Sequence, residues 1–263
     1  MLVADKENLL FQFDAMKRFR ELTHAVVCRS GGVSRPPFDS LNLGRGVGDV
    51  PEAVAANRRR LRQLTGGGVH VYASQRHGTD VGVVTGPVDH GEPIRTYPRP
   101  VDALITDVPG VRLLIQTADC QAVMLYDPIR RVAANVHCGW RGSVTDIIGR
   151  TVATMRDAFG CDPGGMAAVI GPSLGPCCAE FIHFKREIPR RFWPFRVGQH
   201  HFDFWRISRR QLVDAGLADG SVHVSGLCTR CNPHLFFSYR ADRRTGRFAA
   251  LIGLDAQGEG VAQ

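Results

Sequence analysis

The chain has 263 residues, 44% of them hydrophobic, enough for a packed core, and the prediction is a single domain over 1–263. The formal charge is +8, and only Lys6, Lys17 and Lys185 among the 33 basic residues are lysines. The arginines are scattered instead of gathered into one tract beside stacking aromatics, which argues against a nucleic-acid partner and for an anionic small molecule.

The opening segment, MLVADKENLLFQFDAMKRF, breaks its apolar runs with charge, unlike a secretory signal. No later run approaches membrane-spanning length. The expectation is a cytosolic protein, monomer or homodimer, with no membrane partner. In a reducing compartment the eight cysteines are free thiols, metal ligands or nucleophiles before they are disulfides.

In chain order, residues 51–64 open with proline, place Val54, Leu61 and Leu64 on one helical face and stop at Gly66-Gly67-Gly68. Short apolar runs predict strands at 111–115, 122–126 and 132–136, the last two joined through Asp127-Pro128. Ser143 and Asp146 resemble a capping box, and Val144, Ile147, Ile148, Val152, Met155 and Phe159 follow at helical spacing, predicting one helix over 142–159. Further strands are expected at 167–170, 222–224, 235–239 and 248–254, with a short helix near 208–215. The fold class is α+β, helices on a mixed sheet.

Three polar residues close or follow apolar runs: His77 in SQRHGTD, Cys120 in LLIQTADC and His137 in VAANVH. Two imidazoles and a thiolate suit zinc, and three protein ligands leave a fourth position open, as a catalytic zinc requires. From spacing alone, an ordinary buried cysteine and hydrogen-bonded histidines account for these positions better than a metal site does.

The strings TADC (117–120), VHCGWRG (136–142), GPSLGPCC (171–178), SGGVSRPPFDSLNLG (30–44) and FFSYR (236–240) together resemble the zinc-containing, laccase-like purine nucleoside phosphorylases. That family is also called multicopper polyphenol oxidoreductase and is related to peptidoglycan editing factors. The resemblance spans Gly31 to Gly246. It implies an α/β/β/α sandwich like that of toxin-type cysteine hydrolases, and a zinc held by His77, Cys120 and His137, with copper the alternative metal. The implied reactions are phosphorolysis of adenosine, inosine and methylthioadenosine, and adenosine deamination. Arg29, Asn42 and Arg141 stand in the shared motifs as expected substrate-binding residues, with phosphate a partner for arginine.

Two positions depart from the family's usual pattern. Arg76 precedes His77, and on extended backbone it points away from it; Cys138 follows His137 and is expected on the opposite face of its strand, as a structural thiol. Asp119 either supports Cys120 or caps a turn. Cys177-Cys178 and Cys228-x-x-Cys231 raise a second zinc site, although the Cys-x-x-Cys occurs once and adjacent cysteines chelate poorly.

Two other chemistries fit the same residues. A cysteine hydrolase editing peptidoglycan precursors would use Cys120 as nucleophile and His137 as base. A four-copper laccase needs many paired histidines, and ten scattered ones leave at most weak copper-dependent phenol oxidation.

Overall fold

The computed structural model describes residues 2–4, 10–86 and 92–256, so part of the charged N-terminal segment lies outside the described residues. Among the described residues, thirteen of fifteen strands form two sheets. The first has the order β1 (Leu2–Ala4), β2 (Leu10–Phe13), β3 (Leu22–Val27), β15 (Phe248–Leu254), β8 (Val111–Thr117), β4 (Val69–Ser74) and β6 (Ile94–Pro100). The second has the order β14 (Val222–Val224), β11 (Ala167–Ile170), β9 (Gln121–Asp127), β10 (Val132–Cys138), β7 (Ala103–Thr106) and β5 (Val81–Val84). A ribbon of β12 (Arg196–Val197) and β13 (His201–Phe202) stands apart. The helices are α1 (Asp14–Lys17), α2 (Pro51–Leu64), α3 (Trp140–Val144), α4 (Ile147–Phe159), α5 (Phe184–Glu187) and α6 (Phe204–Asp214).

The class is α+β, and the layers follow from side-chain parity. In β9, Met124 and Tyr126 join Leu113, Ile115, Phe236 and Phe248 in a core between the sheets. Val123 and Leu125 point the other way, to Ile148, Val152 and Met155 of α4 and Leu212 of α6. On the outer face of the first sheet, Tyr72, Leu114 and Leu251 pack with Leu61 of α2. Strands covered on both faces are largely apolar along their middles, which is why β8, β9 and β10 read as apolar runs in the sequence. Asn135 of β10 is a polar residue inside this core: its Nδ2 donates to Leu113 O at 3.0 Å and Ala250 O at 2.9 Å, joining the second sheet to two strands of the first.

Several expectations change. The helix expected over 142–159 is two helices, because Asp146 takes a left-handed φ of 62° and caps α4 by accepting from Gly149 N. Glycine at 149 permits this, since a Cβ there would fall 2.3 Å from Asp146 Oδ2. Residues 235–239 form turns, not a strand; Phe236 and Phe237 are consecutive and both fully buried, so alternation fails, and Phe236 N bonds Asn232 O. In α2 the buried stripe is Val54, Asn57, Arg58 and Leu61, while Leu64 is exposed. Asn57 holds the 30–44 loop there, accepting from Val33 N and donating to Ser34 Oγ, Ser40 O and Asn42 O. The helix expected near 208–215 begins at Phe204, capped by Asp203. Among the described residues no helix is long and apolar enough to cross a membrane.

Candidate active site

The two sheets meet at a seam, and the three candidate ligands sit along it. His77 follows β4 of the first sheet, Cys120 lies in the link from β8 to β9 that passes between sheets, and His137 is on β10 of the second. Parity puts His137 on the inter-sheet side with Ala133 and Asn135 and turns Cys138 to the helices. There Cys138 packs against Ile147 and Ile148, its Sγ 3.2 Å from Ser143 Oγ, and burial pushes its thiol up to about 12.

The donor atoms of His77, Cys120 and His137 lie within 4.8 Å of one another. Cys120 Sγ is 3.8 Å from His77 Nε2, and the two imidazoles meet edge to face with centroids 4.7 Å apart. Tetrahedral zinc with ordinary Zn–S and Zn–N bonds separates a sulfur from a nitrogen ligand by about 3.6 Å, so the donor set and spacing fit such an ion. Gly139 is required beside it: a Cβ would fall 2.9 Å from Cys120 Sγ and 3.1 Å from His77 Cδ2.

Asp102, just before β7, organises the cluster and was not picked out by sequence motifs. Its Oδ1 lies 2.7 Å from His137 Nδ1, which leaves Nε2 of that ring for Cys120 and the cavity. The same carboxylate accepts the backbone N–H groups of Arg76, His77 and Gly78. Three converging donors hold His77 at a left-handed φ of 59°, a conformation uncommon for a residue with a Cβ. The segment is therefore a turn and not extended, and Arg76 is exposed outside the cavity lining. A signal for Asp102 did exist: an aspartate among the apolar residues of Val101-Asp102-Ala103-Leu104 is rarely buried without a partner.

The electrostatics follow this arrangement. Burial alone would raise the Cys120 thiol, but His137 and His77 outweigh it and bring it down to about 6. Burial would lower His137, but the thiolate and the Asp102 carboxylate raise it to about 9. Asp102 itself is held below the ordinary carboxylate range against burial, chiefly by the His137 hydrogen bond. Without metal, the site at neutral pH is a thiolate–imidazolium–carboxylate row.

A cavity of about 890 Å³ opens over the three ligands. Its walls carry the aromatics Trp140, Phe181, Phe204 and Tyr239 and the arginines Arg45, Arg58, Arg141, Arg240, Arg243 and Arg247. Arg58 is committed to Leu43 O and Gln116 Oε1, and Arg247 to Thr245 O and Gly246 O. Among the described residues Arg45, Arg141 and Arg243 donate to no protein acceptor; Arg141 lies over Trp140 with its Cζ 4.6 Å from the ring centroid.

Two expected substrate residues are placed elsewhere. Arg29 donates to Asp39 O and Pro233 O and stacks on Phe237. Asn42 is fully buried, bonded to Asp49 and to the backbone of Gly44 and Arg247. Both brace loops and neither lines the cavity. Asp119, at φ 96°, accepts from Thr229 Oγ1 at 2.7 Å and Arg240 N at 2.6 Å, tying the loops around Cys120 together. The arginines from 240 to 247 were missed because they lie in a turn-rich segment without periodicity.

The chain is 38% identical over 232 residues to a purine nucleoside phosphorylase of Xylella fastidiosa (strain 9a5c), covering 84% of this chain and 87% of that one. It is 32% identical over 250 residues to purine nucleoside phosphorylase YlmD of Bacillus subtilis (strain 168), covering 89% of each. The solved structure of YlmD from Geobacillus stearothermophilus superposes with a TM-score of 0.83 at 30% identity, over 96% of this chain and 98% of that one. The model of the multi-copper polyphenol oxidoreductase laccase family matches residues 23–255, and the chain belongs to that family.

Proposed function

We propose that the chain acts as a single-domain, cytosolic, zinc-dependent purine nucleoside phosphorylase on adenosine, inosine and methylthioadenosine, and that it also deaminates adenosine. The observation that carries this is the meeting, in one cavity, of the His77–Cys120–His137 donor set, three arginines without protein acceptors, and an aromatic wall. The purine nucleoside phosphorylases among its relatives support the same reading.

In phosphorolysis a phosphate oxygen attacks the ribose C1′, the C1′–N9 bond breaks, and the proton lost by phosphate ends on the base. Arg141, Arg45 and Arg243 hold the anion, since guanidinium forks match phosphate oxygens. Trp140 and Phe181, edge to face at 6.0 Å, provide an apolar wall for the base. Asp102 holds His137 Nδ1 and so fixes the ring with its Nε2 toward Cys120, as a zinc ligand requires. When bound at His77, Cys120 and His137, zinc supplies Lewis acidity and activates water, the reagent that deamination of adenosine to inosine and ammonia consumes.

The test is product analysis on untagged protein of measured metal content, with adenosine, plus and minus phosphate. Adenine and ribose 1-phosphate are expected with phosphate and some inosine without it, both falling when His77, Cys120 or His137 is changed to alanine. Full activity of those variants overturns the assignment, and activity that tracks copper instead of zinc overturns the metal.

A second reading rests on the Cys120–His137–Asp102 row, which has the order of a nucleophile, its base and an orienting carboxylate. A hydrolase of amino-acyl or peptidoglycan-peptide amides would act through it without metal. Such activity in zinc-free protein that is inert toward nucleosides, with inhibition by added zinc, selects that reading.

A further inference from the structure

A second group of sulfurs lies outside the nucleoside cavity. Cys177 and Cys178 stand in the loop that follows β11, and Cys228 and Cys231 in the loop that follows β14. These two strands are parallel neighbours, Ala168 to Ile170 against Val222 to Val224, so both loops leave the same end of the sheet side by side. They stay zipped beyond it: Ser173 N donates to Leu227 O at 3.2 Å and Thr229 N to Ser173 O at 3.0 Å. Glycine at 175 lets them close, since a Cβ there would lie 3.1 Å from Cys228 Cβ and 2.8 Å from the Trp205 ring.

The result is four sulfur atoms within 4.8 Å of one another. Cys231 Sγ lies 3.6 Å from both Cys177 Sγ and Cys178 Sγ. A disulfide draws its sulfurs to about 2.05 Å, and all four residues are free thiols. Four thiolates around tetrahedral zinc, at ordinary Zn–S lengths, stand about 3.8 Å apart along each edge. The observed separations match the second geometry. Adjacency of Cys177 and Cys178 is no obstacle, because both reach Cys231.

We propose that Cys177, Cys178, Cys228 and Cys231 bind one zinc ion as a four-thiolate structural centre, separate from the His77, Cys120 and His137 site. All-sulfur donors at tetrahedral spacing select a soft ion and reject magnesium or calcium. The centre fastens one wall of the cavity. Leu174 N bonds Asp119 O at 2.8 Å, Thr229 Oγ1 bonds Asp119 Oδ1, and Arg240 Nη1 reaches Cys178 O at 3.1 Å and Glu180 O at 3.2 Å. Both clamped loops therefore converge on Asp119, the neighbour of Cys120.

The experiment is elemental analysis with native mass spectrometry on untagged full-length protein kept under reductant. About two zinc ions per chain are expected in the wild type, and about one in the His77→Ala/Cys120→Ala/His137→Ala variant, which keeps all four sulfurs. Cys228→Ser/Cys231→Ser should lose the other ion and unfold at lower temperature. Should that variant fail to fold, thiol footprinting of the wild type decides: Cys177, Cys178, Cys228 and Cys231 resist alkylation until a strong chelator strips the zinc, then react together. A metal-free His77/Cys120/His137 variant, iron in place of zinc, or four thiols that alkylate freely before chelation would overturn the proposal. The count in that variant is read without any nucleoside, so it stands or falls apart from the proposed activity.

Discussion

Asp102 Oδ1 is shared between His137 and His77, 2.7 Å from the ring Nδ1 of the first and 2.9 Å from the backbone N–H of the second. One carboxylate thus fixes the rotation of one histidine and the backbone of the other. Asp102→Asn keeps the shape but removes the charge and can offer a single acceptor oxygen. Zinc affinity at the cavity site should fall about 10–100-fold, read by competition with a chromophoric chelator, with kcat falling in parallel.

In zinc-depleted protein Cys120 should be a thiolate at neutral pH. Alkylation by iodoacetamide, followed by peptide mass mapping, should be half-maximal near pH 6, the value to which the two histidines bring this thiol. Asp102→Asn weakens the imidazolium at His137 and should move the midpoint upward. Cys138, held at about 12 by burial, should stay unlabelled throughout.

Arg141 lies over Trp140, and among the described residues its guanidinium donates to no protein acceptor. Arg141→Ala should raise KM for phosphate about tenfold to a hundredfold, the loss of a charge-assisted pair of hydrogen bonds, while zinc content stays at the wild-type level. Arg141→Lys should recover only part of this, because an ammonium cannot pair bidentately.

Acid stability should be governed in part by two buried histidines of the first sheet. His24 Nε2 accepts from Phe13 N at 2.9 Å, and burial, with Lys17 nearby, lowers its pKa to about 4. Burial, with Arg112 and Arg62 nearby, lowers His70 to about 3. Both are neutral in the fold but take up a proton near pH 6.5 when unfolded, so the unfolded chain binds more protons in this window. Stability is therefore full above about pH 6.5 and falls as the pH drops toward 4, by about 1.4 kcal/mol per unit for each histidine. Thermal unfolding from pH 7 to 4.5 checks this, and His24→Gln/His70→Gln should flatten the slope.

How much of this was legible in the sequence depended on whether local chemistry and tertiary position agreed. The strands from 111 to 138 and the helix at 51–64 were readable because burial on both faces, or a proline start and a triple-glycine stop, leave a local mark. The break at Asp146 was not, because an aspartate in left-handed backbone is selected by Gln211 Nε2 donating to its Oδ1 and to Ser143 O across the fold. Phe236 and Phe237 imitate a strand because a loop buried under the sheets needs apolar residues as a strand does. At the site, the residue types of His77, Cys120 and His137 could be named from the sequence, but spacing alone did not bring them together; only the family resemblance grouped them around one ion. Asp102 left only the mark of a lone aspartate in an apolar run, because its partners are a ring 35 residues away and three backbone amides, neither of which leaves a motif.

Asn135 gives the seam a further property. It is two residues before His137 on the same face of β10, and its amide is bonded to the first sheet at two carbonyls. The cavity ligands come from both sheets, so their bite is set by how the two slabs of the sandwich sit against each other, and the amide pins that setting. On the proposed zinc reading, ion affinity at the cavity then reports how the two sheets sit against each other. Asn135→Ala should cost about 2 kcal/mol of stability through unanswered carbonyls and lost packing, and it should also loosen the cavity zinc without touching a ligand. With zinc bound as proposed, a shift between the sheets should show first as weaker ion binding, before the chain unfolds.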